Sequence, residues 1–503
     1  MTATKDGRPT LPERREAAAL AVLLVLVFAL RAIRADQPIV ENYVGRQVPT
    51  AMVARNLERG SGFLRPRLDT LPAPNLFLVE PPIYALAVVT LRRATGGALE
   101  PTGRLVSALG MVLAAWGLFG LTRRREGGSV ALIAVAAFAV FPLTIRYGRA
   151  FQPDALMLGT LIAGLRGWDE HEAGRGWPWL VLGWVGLATG LALKIVSAYL
   201  FVPLIVVILR PRTKGKVALA LSTLIPALLW YVHAAILLSD GQGSRASADN
   251  GAIWLRVLIP SSLFRIETAT LIARFLVVRA FTPIGLALAV WGLSRPSGDR
   301  RLWLTWGGSA LVAMLVLAGK LHHEYYWLAL APVAAVGVGR ALASIAEAGH
   351  RPCAALLGAA LLGLSLVQSA PTFRTPREWA SIADAAREVR AHVPPDSTIV
   401  APEALLFLAD RRGYRLEFTR IAAVRAAGEW GATLPDDGPL ALVAFYHSRG
   451  ARFFADVTTE GDTPRLALHK AIRGRYNVIV DRPGVLIADL TVSRSKKASD
   501  EPQ

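Results

Sequence analysis

The sequence predicts a polytopic α-helical membrane protein with about eleven spanning helices and a soluble α/β domain at its C-terminal end. Hydrophobic residues make up 53% of the 503 residues and charged residues only 18%, whereas soluble domains usually carry about 25% charged residues. The mean hydropathy is +0.40. Many apolar runs approach the roughly 20 residues that a helix needs to cross the hydrocarbon core. The chain is also too long for one soluble core.

Apolar runs along the chain predict the individual spans. The first, residues 15–34, follows a basic N-terminal segment, residues 1–14. Arg31 and Arg34 stand where a signal peptide would carry the small residues of a cleavage site. This pattern predicts an uncleaved anchor with a cytoplasmic N-terminus. The other predicted spans are 103–121, 129–146, 154–167, 177–193, 195–210, 217–238, 281–294, 302–319, 325–345 and 352–370.

The distribution of positive charge predicts the topology. The 56 basic residues exceed the 37 acidic ones and cluster at the ends of apolar runs. Because they form no basic domain with stacking aromatic residues, their distribution excludes nucleic acid as a partner. Residues 83–91 are a short apolar run. If they lie on the outer surface as a helix, the arginines at 123–125 fall on the cytoplasmic side, as the positive-inside rule prefers.

Two long outer loops interrupt the predicted transmembrane domain, which covers residues 15–370. The loops are residues 36–101 and 239–280, and each contains an amphipathic stretch, residues 50–59 and 253–281, that predicts an interfacial helix. Long outer loops with helices of this kind usually serve a site.

The composition changes after Pro371. Residues 371–492 predict an extracytoplasmic α/β domain, and the polar tail 493–503 is typical of disorder. Within the domain the pattern predicts a helix over 377–393 and strands over 398–401, 440–445 and 477–480.

Three acidic residues fall at the predicted outer face, where an acid is costly unless it is solvated or paired. They occur in the strings Glu41-Asn-Tyr-Val-Gly-Arg46-Gln47, Val79-Glu80-Pro-Pro-Ile-Tyr84 and Arg146-Tyr-Gly-Arg149-Ala-Phe-Gln152-Pro-Asp154. Asp154 after a proline is equally ordinary for the first turn of a helix. The arginines and tyrosines also fit a solvated interfacial face.

Two further clusters are candidates for binding. Lys194 lies between two predicted spans, where its ammonium needs an anion or a path to water, and snorkelling at a short turn is the alternative interpretation. The second cluster is Lys320-Leu-His322-His323-Glu-Tyr325-Tyr326-Trp. Adjacent histidines are a weak zinc signal, because they point in different directions on a helix. Anion binding or hydrogen bonding to a sugar fits equally well.

In their order and placement, these strings resemble family 39 membrane glycosyltransferases of the GT-C fold, which are related to protein O-mannosyltransferases and to the lipid A aminoarabinose transferase. The resemblance covers most of residues 15–345. It implies Asp154 as the acid of the second outer loop, and Glu41 as the catalytic acid of the first, where the family usually has aspartate. It also implies Glu80 as the family's Glu-Pro-Pro element and Lys194 as the lysine that binds the donor phosphate.

The resemblance implies a cell-envelope glycosyltransferase whose donor is a sugar, hexosyl or pentosyl, on polyprenyl phosphate. A phosphate leaving group needs cations, and Lys194 with Arg149 or Arg279 would supply them. Either Glu41 or Asp154 would act as base. The remaining predicted substrate-binding residues are Arg46, Gln47, Glu80, Tyr84, Gln152, His322, His323, Tyr325 and Tyr326.

The rest of the functional prediction concerns setting and partners. The expected location is the cytoplasmic (inner or plasma) membrane, with the active site and the C-terminal domain outside. The sequence predicts no metal site, and the reaction is expected to need no cofactor. A divalent cation is nevertheless compatible with the chemistry. The acceptor is a lipid, a polysaccharide or a protein. A lipid transporter or flippase, and a ligase that uses a lipid-diphosphate donor, are the alternatives.

Overall fold

The computed structural model describes residues 11–39, 44–248, 266–296, 299–316, 323–436, 438–457 and 463–493. The chain divides into two compact units. Unit 1 consists of Met1–Asp36, Val79–Ile236 and Asp249–Arg374, and unit 2 consists of Gln37–Leu78, Leu237–Ala248 and Thr375–Gln503. The boundary between Arg374 and Thr375 lies close to the predicted domain boundary at residue 370. The first part of the predicted outer loop 36–101, however, folds with the C-terminal residues.

Helices dominate the chain up to residue 373. In chain order they are α1 (Leu11–Ala32), α2 (Val44–Glu58), α3 (Ile83–Thr95), α4 (Leu99–Glu126), α5 (Gly128–Val140), α6 (Pro142–Tyr147), α7 (Asp154–Glu172), α8 (Trp177–Leu193), α9 (Phe201–Pro203), α10 (Lys214–Leu221), α11 (Ile225–Ser239), α12 (Ile266–Arg274), α13 (Pro283–Ser294), α14 (Arg301–Val316), α15 (Ala331–Glu347) and α16 (Arg351–Ser369). Short 3₁₀ or π turns cover Ile195–Leu200, Leu204–Ile208, Ser222–Leu224, Phe275–Ala280, Glu324–Leu330 and Ala370–Phe373.

The C-terminal part alternates helices and strands. Its elements are α17 (Arg377–His392), β1 (Ile399–Ala401), α18 (Glu403–Ala409), β2 (Gly413–Arg415), α19 (Arg420–Gly428), α20 (Pro439–Ser448), β3 (Phe453–Asp456), α21 (Thr463–Arg475), β4 (Tyr476–Arg482) and β5 (Val485–Ser493).

Every predicted span coincides with helical residues in the described part of the chain. Four helices there are long and apolar enough to cross a membrane: Leu99–Glu126, Lys214–Ser239, Glu324–Glu347 and Arg351–Phe373. Ala269–Ala280 and Pro283–Ser294 form a fifth candidate, bent by 101°. Other apolar helices, such as Gly128–Val140, are shorter. The chain is an integral membrane protein, and the count of about eleven spans stays a prediction. The same holds for the surface location of α3, a helix of 13 residues.

Glycine contacts fix the position of α7 in unit 1. A Cβ on Gly159 would lie 2.2 Å from the carbonyl oxygen of Gly110 on α4. On the other side, a Cβ on Gly164 would lie 2.7 Å from the backbone nitrogen of Leu187 on α8. Small residues let helix backbones approach closely where there is no water to drive apolar side chains together. The packing therefore holds α7 between α4 and α8 and fixes the placement of its first residue, Asp154.

Unit 2 is built on a five-stranded mixed sheet with the order β2-β1-β3-β5-β4. β1 pairs parallel with β2 and β3, and β5 pairs antiparallel with β3 and β4. The segment before α3 extends this sheet, because the amide of Leu71 donates to the carbonyl of Gly413 at 2.9 Å. In addition, the Arg55 guanidinium of α2 donates to the carbonyl of Phe407 at 2.7 Å. These bonds explain why residues 37–78 fold with the C-terminal part.

The secondary structure of unit 2 corrects one prediction and confirms others. The predicted helix 377–393 and the strands 398–401 and 477–480 correspond to α17, β1 and β4. The predicted strand 440–445 is wrong, because these residues belong to α20, which begins at Pro439. A short apolar run does not distinguish a buried strand from a buried helix, and proline in the first turn favours the helix.

Candidate active site

Hydrogen bonds from buried hydroxyl groups hold the loop that leads into α7. Tyr84 on α3 donates to the carbonyl of Gly103 at 2.7 Å, and its oxygen lies 2.9 Å from Ser107 Oγ. Ser107 in turn donates to the carbonyl of Ala150 at 2.6 Å. Tyr84 therefore anchors the loop through Ser107, and α7 begins after Pro153, with Asp154 as its first residue.

Asp154 and Lys194 form a buried ion pair at the start of α7. Lys194 Nζ lies 2.5 Å from Asp154 Oδ1, and the two side chains are 9% and 2% exposed. The other oxygen, Oδ2, is buried without a hydrogen-bond partner in the described part of the chain. Lys194 has an extended backbone at the point where α8 ends. The pair therefore combines a fixed cation with an acceptor oxygen that is unused among the described residues.

Aromatic rings cover the ammonium group. Lys194 Nζ lies 4.1 Å from the ring centre of Tyr325 and 5.4 Å from that of Tyr326. Beside the pair is a cavity of about 20 Å³ whose wall includes Ser197, Tyr199 and Met314. That is close to the size of one water probe. Since the wall is mostly apolar, the charges are poorly screened, and a cation there interacts strongly with an anion.

A second charged group lies next to these tyrosines. The carboxylate of Glu324 accepts from Arg146 at 2.9 Å and from Tyr147 at 3.1 Å, and its other oxygen lies 2.8 Å from Arg279. Arg279 is 43% exposed at its side chain whereas Glu324 is 8% exposed. The sequence pattern pointed to Arg279 as a cation but missed Arg146 and Glu324 as its neighbours. The signal for them was present, because both residues occur in the polar strings around Asp154 and Tyr325.

Arg149 and Gln152 lie close to the pair in sequence but have different surroundings. Arg149 is fully buried and donates to the carbonyl groups of Thr372, Ile33 and Arg34 at 2.8, 2.7 and 2.9 Å. It therefore ties three chain segments together, a structural role that the prediction of a donor-binding cation did not include. Gln152 is also fully buried, and neither polar atom of its amide has a hydrogen-bond partner in the described residues.

The other predicted site residues are distributed over both units. Arg46 and Gln47 belong to α2 in unit 2, where the Arg46 guanidinium lies 5.1 Å from the ring centre of Phe77. Glu80 is half-buried in unit 1. The His323 ring stacks on Tyr325 with 5.4 Å between ring centres. Glu41 and His322 lie outside the described residues, so their roles stay predictions.

Among the residues that the structure describes, no three histidine, cysteine, aspartate or glutamate side chains converge to hold a metal ion. His323 contacts the tyrosine rings.

The fold is that of GT-C glycosyltransferases. The structure is similar to ArnT from Cupriavidus metallidurans bound to undecaprenyl phosphate, with a TM-score of 0.66 and 15% identity over 97% of this chain and 99% of that one. It is also similar to the archaeal oligosaccharyltransferase AglB from Archaeoglobus fulgidus in complex with an inhibitory peptide and a dolichol-phosphate, with a TM-score of 0.58 and 12% identity over 93% of this chain and 73% of that one. These likenesses confirm the predicted fold family.

Three further comparisons bear on the family. Residues 80–238 match the model of the dolichyl-phosphate-mannose-protein mannosyltransferase family. Arabinofuranosyltransferase AftD from Mycobacteria has a TM-score of 0.59 and 17% identity, and the match covers 96% of this chain and 40% of AftD. No curated protein sequence matches the chain significantly. The predicted resemblance to mannosyltransferase-like membrane enzymes is therefore confirmed, and the matched segment includes Asp154 and Lys194.

Proposed function

We propose that the protein is an inverting glycosyltransferase that moves a sugar from a polyprenyl-phosphate carrier to an acceptor hydroxyl on the extracytoplasmic face of the membrane. The observation that carries the proposal is the buried Lys194–Asp154 pair, in which Oδ2 of the aspartate has no partner in the described residues. The family match at residues 80–238 and the undecaprenyl phosphate bound to the similar ArnT structure support a lipid-phosphate donor.

Lys194 is proposed to bind the donor phosphate. A sugar leaves polyprenyl phosphate as a phosphate monoester, which is already a stable anion, so cations assist its departure without a proton. Lys194 has three N–H donors, of which Asp154 Oδ1 uses one at 2.5 Å. In the proposed complex, the ammonium contacts a phosphate oxygen while it keeps its bond to the carboxylate. Arg279, which pairs with Glu324 but keeps 43% of its side chain exposed, is the second proposed phosphate contact.

Asp154 is proposed to act as the base. The acceptor oxygen bonds to the anomeric carbon as the carbon–oxygen bond to the phosphate breaks, and the hydroxyl proton passes to Asp154 Oδ2. The released phosphate keeps the electron pair of the broken bond. One displacement of this kind inverts the anomeric configuration and needs no covalent enzyme intermediate. Glu41, at the predicted catalytic position of the first outer loop, is the other proposed base.

The test is a transfer assay with purified protein in lipid nanodiscs and a panel of polyprenyl-phosphate sugars. We expect one donor to be consumed with an inverted product, and Lys194→Met to lower its turnover about 100-fold, the usual cost of losing one group that stabilises a developing charge. Lys214→Met is the matched control, because Lys214 is an exposed lysine at the start of α10. If both variants keep full turnover, Lys194 does not bind the phosphate.

The same assay separates the alternative functions. A ligase would consume a polyprenyl-diphosphate donor in preference to the monophosphate. A flippase would move the labelled lipid across a proteoliposome membrane without forming a glycosidic bond. Either result would overturn the proposal. Addition of EDTA tests the compatible divalent cation, since a metal-dependent reaction would stop.

A further inference from the structure

The far end of α7 borders a large basic cavity. Its volume is about 700 Å³, within the range of about 300–1,000 Å³ that is typical of ligand sites. The charged residues in its wall are Glu16, Arg123, Arg124, Arg166, Glu170 and Arg175. Glu170 follows Asp154 by sixteen positions on α7, so about 24 Å of helix at 1.5 Å per residue separates this cavity from the proposed reaction site.

The carboxylates in the wall neutralise only part of the positive charge. Glu170 lies 3.2 Å from Arg175, 3.6 Å from Arg166 and 3.8 Å from Arg124. Glu16 pairs with Arg123 at 2.7 Å. Four arginines therefore face two glutamates, which leaves a net formal charge of +2. Arg124 also lies 3.5 Å from Asp169, but Asp169 pairs with a further arginine, Arg125, at 2.5 Å, so this carboxylate does not cancel the excess of positive charge.

Several features hold these guanidinium groups at the cavity wall. Arg166 lies 3.8 Å from the ring centre of Trp116 and donates to the Trp116 carbonyl at 2.8 Å. Its Nε has no hydrogen-bond partner in the described residues. A Cβ at position 120 would lie 2.1 Å from that Nε, so glycine is required for Arg166 to lie against α4. Arg123, Arg124 and Arg175 keep 39%, 36% and 39% of their side chains exposed.

We propose that this basic cavity binds a phosphate-bearing anion, supplied either by the headgroup of an anionic lipid or by a soluble phosphate compound. Guanidinium groups match the geometry of phosphate oxygens and bind them in a bidentate manner. Basic residues at the ends of apolar helices also attract anionic lipids, with about 1 kcal/mol for each residue near the surface. α4 and α7 meet at this cavity and are both apolar along most of their length.

The test measures binding of two probes to the full chain in phosphatidylcholine nanodiscs. Dioctanoyl phosphatidylglycerol represents the lipid source and inorganic phosphate the soluble source. Arg123→Gln/Arg175→Gln removes two charges from the cavity wall. Arg300→Gln/Arg301→Gln removes two charges at the same end of unit 1, since the neighbouring Asp299 lies 3.7 Å from Arg125.

We expect at least one probe to bind wild type and the control double variant equally and the cavity variant at least tenfold more weakly. Binding of phosphatidylglycerol alone identifies a lipid headgroup, and binding of inorganic phosphate identifies a soluble anion. Equal binding by all three proteins, equal loss in both double variants, or no binding of either probe to wild type would overturn the proposal. If the cavity double variant does not fold, Arg175→Gln alone, with Arg301→Gln as its control, gives the same comparison.

Discussion

Asp154 in unit 1 and Asp69 in unit 2 are 1% and 3% exposed, and each pairs with a basic side chain at 2.5 Å. Their second oxygens differ. Asp69 Oδ1 accepts from the Asn56 amide at 3.0 Å, so both oxygens of Asp69 have donors. Asp154 Oδ2 has none among the described residues and belongs to a side chain that lines a small cavity.

The difference separates a structural carboxylate from a candidate reactive one. A buried carboxylate with both oxygens satisfied stabilises one conformation and has little remaining capacity for a substrate. An unsatisfied buried oxygen costs free energy in the unliganded protein. Its retention next to a lysine, two tyrosines and a cavity is typical of a site that completes its hydrogen bonds with a substrate. Four substitutions or conditions test this comparison.

The largest expected effect is on catalysis at Asp154. Asp154→Asn keeps the shape of the side chain but removes the base, so we expect turnover of the polyprenyl-phosphate donor to fall by about 10²- to 10⁴-fold. The measurement is initial rate at saturating donor, with the amount of folded protein checked by size-exclusion chromatography. Glu41→Gln tested in parallel shows which acid is the base.

Two outcomes distinguish the assignments at these acids. A large loss in Glu41→Gln alone would place the base in the first predicted outer loop and leave Asp154 as the residue that positions Lys194. Wild-type turnover in both variants would mean that the site assignment is wrong.

The next effect is on stability at Asp69. Asp69→Asn leaves the half-buried Arg55 without its closest anion, although Arg55 also lies 3.1 Å from Asp410. Breaking a buried pair in this way usually costs about 3–5 kcal/mol, and the second partner places the expected loss near 3 kcal/mol. Urea unfolding of purified protein measures it. Turnover per folded molecule should stay within about threefold of wild type, as expected of a structural residue. A 100-fold loss of turnover would mean that Asp69 and Asp154 do not differ as structural and reactive carboxylates.

A smaller effect is expected at Glu324. Glu324→Gln removes the negative charge that holds Arg146 and Arg279 together, at 2.9 and 2.8 Å. We expect kcat/KM for the donor to fall about tenfold, which corresponds to about 1.4 kcal/mol. Glu267→Gln is the control, because Glu267 is an exposed glutamate in the first turn of α12. An unchanged kcat/KM would show that donor binding by Arg279 does not depend on the Glu324 carboxylate.

The smallest effect is on the pH dependence of stability in unit 2. Burial raises the pKa of Glu403 to about 7, against a partial opposing effect of Arg415. Since the unfolded carboxyl ionises near its ordinary value, the folded state holds the proton longer, and the contribution of Glu403 is lost as pH rises through about 7. The Tm of wild type should therefore fall relative to Glu403→Gln between pH 5 and 8. If the Tm of wild type and of Glu403→Gln changed with pH in the same way, Glu403 would ionise normally.

The polar strings are visible in the sequence, but the pairing of their residues is not. Lys194 and Asp154 are forty positions apart, and each alone had an ordinary explanation, as a snorkelling lysine and as a first-turn acid. Their 2.5 Å contact depends on the close packing of α7 against α8, which the glycines at both helix surfaces permit. Arg149 shows the opposite case. Its charge in a polar string predicted a phosphate contact, and in the structure its two terminal nitrogen groups donate to three carbonyl oxygens.

The sequence by itself determined that this is a membrane protein with helical apolar segments, a C-terminal α/β region and acidic strings that resemble those of GT-C glycosyltransferases. Composition and periodicity are local properties, so they are readable without coordinates. Only the tertiary structure decided that the described part of residues 37–78 folds with the C-terminal sheet, that residues 440–445 are helical and that Asp154 has one oxygen without a partner among the described residues. Each of these depends on contacts between residues far apart in the chain, which no local pattern encodes.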